Sequence, residues 1–299
     1  MEKQNVELRL DGFRYFYRVY PNPESNFDPF VLISGSFQSI ETWKKHAEWL
    51  NQFAPVIVFD APGVGLSDLL PAHYGLDFLA NSLLKVLEIE GVSQINLLGI
   101  SYGTPIAYTF AQLYPHKVNR MILAGVMKEV PADQVEDIQK SIILLQEGKI
   151  GDFVDTVIQR LICQDEQKHV EKRRSIKRIV RSMLSRASTD DLEKYKQNHL
   201  RMITHSPLDL TVPPDVPTLV FTGEHDTCTP RHHCLELAKA FSKGIYTTIQ
   251  NADHLFHLEQ FLTVVGLAAD FFLELPLEAL EGCTPIEYFS QQLPIEAAA

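Results

Sequence analysis

A doubly wound α/β fold is what this sequence predicts, and three observations carry the prediction. Short, continuously apolar runs recur along the chain, segments with helical apolar spacing separate them, and one long interval, 128–211, breaks the alternation with helix patterns alone. Continuous apolar runs mark strands covered on both faces, and parallel neighbours need helical crossovers between them.

The elements follow in order. Val6–Leu10 and Phe13–Val19 form an opening hairpin around Asp11-Gly12, a pair suited to the positive φ angles of a tight turn. FVLIS (30–34), VIVFD (56–60), INLLG (95–99), RMILA (120–124), TLVFT (218–222) and YTTI (246–249) are the parallel-type strands. WKKHAEWL (43–50), DFLANSLLKVLEIE (77–90), PIAYTFAQLY (105–114) and CLELAKAF (234–241) repeat apolar residues every three or four positions and supply the crossovers. Residues 1–127 and 212–275 are thus expected to form the α/β core and 128–211 a helical cap; 276–299, with Pro276, Pro285 and Pro294, reads as an irregular C-terminal extension. Inside the insertion, GDFVDTVIQRLI (151–162) carries an apolar stripe that needs a partner. Downstream of it, Arg173, Arg174, Lys177, Arg178 and Arg181 occupy one helical face, with Ile176, Ile179, Val180, Met183 and Leu184 opposite.

Composition bounds the function. The 299 residues are 45% hydrophobic and 22% charged, enough apolar material for a large core and inconsistent with a disordered chain. A net charge of −11 argues against general nucleic-acid binding, because a polyanion would be repelled by most of the surface. The insertion alone escapes this bias, with 15 basic against 14 acidic residues. The start, MEKQNVELRL, lacks the apolar stretch of a secretory signal, and Asp270 interrupts the longest apolar run, so neither a cleaved leader nor a membrane span is expected. Cys163, Cys228, Cys234 and Cys283 are too scattered for a disulfide framework, and reduced thiols in a cytoplasm are the simplest reading.

The strongest chemical signal is Gly99-Ile100-Ser101-Tyr102-Gly103 between a strand pattern and a helix pattern. A strand turning sharply into a helix presents a strained, exposed Ser101 near free helix N–H groups, and small residues at both glycine positions let neighbouring backbone approach. A serine hydroxyl needs a base, and His254 in NADHLF, after the last strand, should stand at the same rim of the sheet. The imidazole needs an orienting carboxylate, for which Asp226 in GEHDT, after the preceding strand, is preferred over Glu224, Asp253 and Asp60. His257 is read as a packed or surface side chain of the next helix, and His225, His232 and His233 as members of another loop. Ser34-Gly35-Ser36-Phe37 bends after a strand, so the Ser36 N–H can join the Tyr102 N–H in an oxyanion hole. The neighbouring Phe37, Ile100 and Leu255 are the candidate substrate contacts. No metal is expected: Cys228, His232, His233 and Cys234 lack zinc-site spacing, and APGVGLS (61–67) lacks the third glycine and lysine of a phosphate loop.

Taken together, the loop SGSFQSIETW, DAPGVGLSD, the elbow GISYG, the helical insertion, TGEHDTCTP and NADHLFHLEQ resemble the α/β-hydrolase superfamily over nearly the whole chain. The resemblance implies an eight-stranded, mostly parallel sheet, no cofactor, and a Ser101–His254–Asp226 triad acting through an acyl-enzyme. Two positions depart from the common pattern, Ser34 where many relatives carry His and Pro62 where many carry Arg. With the long helical insertion and the extension, these departures are similar to a narrower group, the acyltransferases that join 3-hydroxyacyl chains in rhamnolipid biosynthesis. The leading expectation is hydrolysis of an acyl ester or thioester. The alternatives are transfer of a 3-hydroxyacyl group from a coenzyme A or acyl-carrier-protein thioester, which the basic face at 173–181 would suit, and a non-catalytic ligand-binding protein.

Overall fold

The apolar runs become central strands because both faces of the sheet are covered. A computed structural model describes residues 4–278 and 280–290. The order begins β1 (Asn5–Leu10), β2 (Phe13–Tyr20), β3 (Phe30–Ile33), α1 (Lys44–Leu50), β4 (Val56–Asp60), α2 (Leu76–Ile89), β5 (Ile95–Ile100), α3 (Gly103–Leu113) and β6 (Val118–Ala124). Four helices then intervene, α4 (Ala132–Gln146), α5 (Ile150–Leu161), α6 (Arg173–Ser185) and α7 (Thr189–Thr204). The chain returns through β7 (Thr218–Gly223), α8 (Arg231–Ala240), β8 (Lys243–Ile249), α9 (Phe256–Glu259), α10 (Phe261–Phe272) and β9 (Glu287–Ser290).

The sheet has the order β1-β2-β4-β3-β5-β6-β7-β8-β9. Strands β4, β3, β5, β6, β7 and β8 are mutually parallel, while β1, β2 and β9 run antiparallel at the edges. Alternation sorts each parallel strand between two cores. Val31, Ile33, Ile57, Phe59, Leu97, Met121 and Leu123 face α2, α3 and α8, whereas Phe30, Leu32, Val56, Val58, Leu98 and Ile122 face α1 and α10.

Two expectations are corrected. Nine strands, not eight, form the sheet among the described residues, because β9 from the extension pairs antiparallel with β8, Gly244 opposite Phe289. Within the extension Glu287–Ser290 is thus a strand rather than irregular chain, and Cys283 forms a β-bridge with Ile249; 279 and 291–299 lie outside the described residues. His232 and His233 belong to the first turn of α8 rather than to a loop, since Pro230 sets the helix start ahead of the apolar pattern.

The segment between β6 and β7 leaves and rejoins the core at one place, where the Leu208 N–H donates to the Lys128 carbonyl at 2.8 Å. Phe153, Val157 and Leu161 of α5 and Ile176, Val180 and Leu184 of α6 form a third apolar cluster. Leu255 and Cys228, from loops at the carboxyl ends of the strands, complete it, with Phe37 packed against it. The apolar stripe of 151–162 thus finds its partner above that end of the sheet. Among the described residues, no helix is long and apolar enough to cross a membrane.

Candidate active site

Backbone geometry at the end of β5 decides where Ser101 points. Ser101 adopts φ 49°, a left-handed conformation, and its N–H donates to the Ala124 carbonyl at 2.8 Å. That turn is possible only with glycine on both sides. A Cβ on Gly99 would stand 2.5 Å from the Gly103 carbonyl oxygen, and one on Gly103 would stand 2.4 Å from that of Ile33.

The three residues singled out in the sequence meet at this rim. His254 Nε2 lies 2.9 Å from Ser101 Oγ, and His254 Nδ1 lies 2.8 Å from Asp226 Oδ2. Asp226 and His254 are buried, while Ser101 remains partly open. Burial alone would raise the Asp226 pKa; the electrostatic attraction of His254 and the hydrogen bonds from His254, Thr222 and Thr229 outweigh it and hold the carboxyl down at about 2. Asp226 Oδ1 accepts the Cys228 and Thr229 N–H groups, both at 2.8 Å, and Oδ2 accepts the hydroxyls of Thr222 at 2.5 Å and Thr229 at 2.6 Å. The carboxylate is thereby fixed in plane and kept ionised.

The rival carboxylates are engaged elsewhere. Glu224 accepts the Asn251 N–H, and Asp60 accepts the Ile40 and Leu66 N–H groups within the turn beside the site. Asp253 accepts the Cys163 and Leu255 N–H groups, and its own N–H donates to Glu259.

The bend after β3 carries Phe37 at φ 67°, again left-handed. Among the described residues, neither the Ser36 nor the Tyr102 N–H has a protein acceptor. Both residues line the cavity with Ser101, as do Phe37, Ile100 and Leu255. That cavity measures about 510 Å³ and is walled chiefly by apolar side chains, among them Ile138, Leu161, Val180, Met183, Met202 and Leu208.

Several supports were not legible in sequence. Gln38 Oε1 accepts the Gly35 N–H at 2.8 Å and the Trp43 indole N–H at 2.9 Å, while its amide nitrogen meets His257 Nε2 at 2.8 Å, so one side chain braces the bend. His257 is buried in the short α9, and burial pushes its pKa well down. Arg201 of α7 is fully buried and donates to Tyr102 Oη, Asn198 Oδ1 and the carbonyls of Leu70, Pro71 and Tyr74, tying the inserted helices to the elbow. Thr222 and Thr229 flank Asp226 in TGEHDTCT, and that polar run directly after a strand was the one available signal.

A family profile described as the α/β hydrolase fold matches residues 28–261. The chain belongs to the α/β-hydrolase fold family. This α/β hydrolase is 26% identical over 232 residues to an (E)-2-((N-methylformamido)methylene)succinate hydrolase of Acinetobacter baylyi, covering 77% of this chain and 85% of that protein. It is 31% identical over 118 residues to a poly(3-hydroxyalkanoate) depolymerase of Ectopseudomonas oleovorans, an alignment spanning only 40% of this chain and 41% of the other. Among solved structures, MGS-M2, an α/β hydrolase from a Medee basin deep-sea metagenome library, superposes with a TM-score of 0.79 at 20% identity over 91% of this α/β hydrolase and 98% of that chain. The enol-lactonase from Burkholderia xenovorans LB400 gives 0.76 at 19% identity over 90% of this chain and 100% of the other, a likeness of fold.

Proposed function

We propose that this α/β hydrolase is a serine hydrolase that cleaves an acyl ester or thioester of a largely apolar substrate held between the sheet and the helices of 128–211. The observation that carries the reading is the continuous hydrogen-bonded line from Asp226 through His254 to Ser101, ending in an apolar cavity. Ser101 Oγ attacks the acyl carbonyl as His254 Nε2 takes its proton, and the oxyanion that forms is stabilised by the Ser36 and Tyr102 N–H groups. His254 returns the proton to the departing alkoxide or thiolate, leaving the acyl group on Ser101. Water, deprotonated by the same imidazole, then releases the acid. In this reading 128–211 acts as the cap that limits water at the acyl-enzyme, and the free thiols of Cys163, Cys228, Cys234 and Cys283 suit a reducing cytoplasm.

A second reading, acyl transfer to a hydroxyacyl acceptor, is favoured by one observation. Ile179 and Met183 line the cavity on the same helix that exposes Arg174, Arg178 and Arg181, a basic approach for an anionic thioester donor such as coenzyme A or an acyl carrier protein. Product analysis with acyl esters and acyl thioesters, with and without a 3-hydroxyacyl acceptor, separates the two: free acid alone excludes transfer. If Ser101→Ala leaves turnover intact, the serine mechanism falls; if a fluorophosphonate leaves Ser101 unlabelled and no ester or thioester is turned over, the non-catalytic binding reading takes its place.

A further inference from the structure

Most of the surface that the cavity presents is apolar, and among the charged side chains that line it Arg160 has buried donors left unpartnered. Arg160, in the last turn of α5, lines the cavity with Ser101 and His254, yet its Nε and Nη1 are out of solvent and have no hydrogen-bond acceptor. Among the described residues no carboxylate forms an ion pair with it. Two polar side chains near it, Cys228 and His199, are held in their neutral forms. The Cys228 thiol beside it is pushed up to about 12 by burial, and His199, packed edge-on against Phe37, is driven well down by burial and by the guanidinium itself. Glu129, the acidic residue on the cavity wall, is exposed. Arg201, the other arginine of this cavity, differs in having its donors taken up by carbonyls, the Asn198 amide oxygen and the Tyr102 hydroxyl. A buried guanidinium with idle donors is costly unless something anionic completes it, and its planar fork matches a carboxylate.

We propose that Arg160 is the recognition site for a carboxylate carried by the substrate, so that the preferred ligand is an apolar acyl compound bearing a carboxylate at a distance from the scissile carbonyl. The inference rests on the reading of Ser101 as the attacking group only for the orientation of that ligand. The carbonyl lies at Ser101 and the Ser36 and Tyr102 N–H groups, the apolar stem runs along the cavity wall, and the carboxylate is received by an edge of the Arg160 guanidinium that includes one of its unpartnered donors.

The test uses the Ser101→Ala protein, which binds without turnover, titrated calorimetrically with monomethyl succinate, adipate and suberate and with the matching dimethyl esters. At one chain length the half-ester is expected to bind at least about tenfold more tightly than its dimethyl counterpart, the range of one or two charge-assisted hydrogen bonds. Arg160→Met and Arg160→Gln, each in the Ser101→Ala background, should abolish that preference and Arg160→Lys should retain part of it. With Ser101 intact, Arg160→Met should lower kcat/KM for p-nitrophenyl half-esters of the same diacids at least about tenfold more than for p-nitrophenyl alkanoates of equal length, the difference lying in KM. Because no protein acceptor depends on the guanidinium, ligand-free Arg160→Met should melt no lower than the parent. A half-ester preference that is absent at every length, or that survives in Arg160→Met and Arg160→Gln, overturns the assignment. A preference that is present and lost on substitution, in a protein that never turns over an ester, keeps the Arg160 site and removes the hydrolytic reading instead.

Discussion

Replacing Asp226 by Asn tests the orientation of the base with a change of one atom. In the native site Oδ1 accepts two backbone N–H groups, and Oδ2 accepts two hydroxyls and the His254 Nδ1 proton. The backbone donors cannot rotate, so the Asn carbonyl oxygen must take the Oδ1 position and the amide NH₂ the other. The hydroxyls of Thr222 and Thr229 can turn to accept from it; the imidazole can do so only as the tautomer with bare Nδ1, which puts its proton on Nε2, facing Ser101 Oγ 2.9 Å away. The base is then occupied. Turnover should fall by about 10³–10⁴-fold, equivalent to roughly 4–5.5 kcal/mol of barrier. Stability provides a parallel check. A buried carboxyl moved from 3.8 to about 2 contributes on the order of 2 kcal/mol, fully present above pH about 4 and lost as pH falls through about 2, and the Asn protein should lack that acid-side dependence. Steady-state ester hydrolysis with urea unfolding at pH 3 and pH 7 measures both. An Asp226→Asn protein within tenfold of wild type in turnover would refute the reasoning.

Other consequences are more local. Gly99→Ala must force its Cβ against the Gly103 carbonyl and Ala107, so the melting temperature should fall with a loss of about 1–3 kcal/mol and turnover should drop with the distorted elbow; an unchanged protein would contradict the close approach. Gln38→Ala releases the Gly35 N–H and the Trp43 indole and loosens the bend that carries the Ser36 N–H, which should lower kcat about tenfold with little change in KM in progress-curve assays. Arg201→Met leaves the carbonyls of Leu70, Pro71 and Tyr74 without donors and should cost about 2–4 kcal/mol by urea denaturation. Glu259 is buried beside Asp253, and burial with that neighbouring charge raises its carboxyl above the ordinary 4.5, so the fold keeps a proton that the unfolded chain releases. Stability from this group is full below pH about 4.5 and declines as pH rises; Glu259→Gln should be near neutral at pH 5 and stabilising at pH 8, as read from melting temperatures at the two values.

How much of this was visible in the sequence depends on the range of the interaction. Strands with both faces covered declare themselves by unbroken apolar runs, so VIVFD became Val56–Asp60 without adjustment. The elbow declares itself because a local backbone constraint demands Gly99 and Gly103 within five residues. Asp226 and His254 were legible from their places just after β7 and β8, since the carboxyl ends of parallel strands share one rim. The strand Glu287–Ser290 was not, because four residues between Pro285 and Pro294 carry no pattern of their own and become a strand only by pairing with β8. Arg201 reads in sequence as one more cation on a helix with Lys194 and Lys196; only the assembled fold surrounds it with carbonyls. Arg160 and Gln38 were hidden for the same reason, their importance lying in what stands opposite them across the cavity and the bend.

The central claim is that Ser101 becomes covalently acylated in the course of turnover. The direct measurement is rapid acid quench of the protein mixed with p-nitrophenyl esters and acyl thioesters of graded chain length, followed by intact-mass and peptide mass spectrometry. An added acyl mass confined to the peptide carrying Ser101, and absent in Ser101→Ala, is the expected result. Sustained turnover with an unmodified Ser101 peptide, matched by the Ser101→Ala protein, would contradict it.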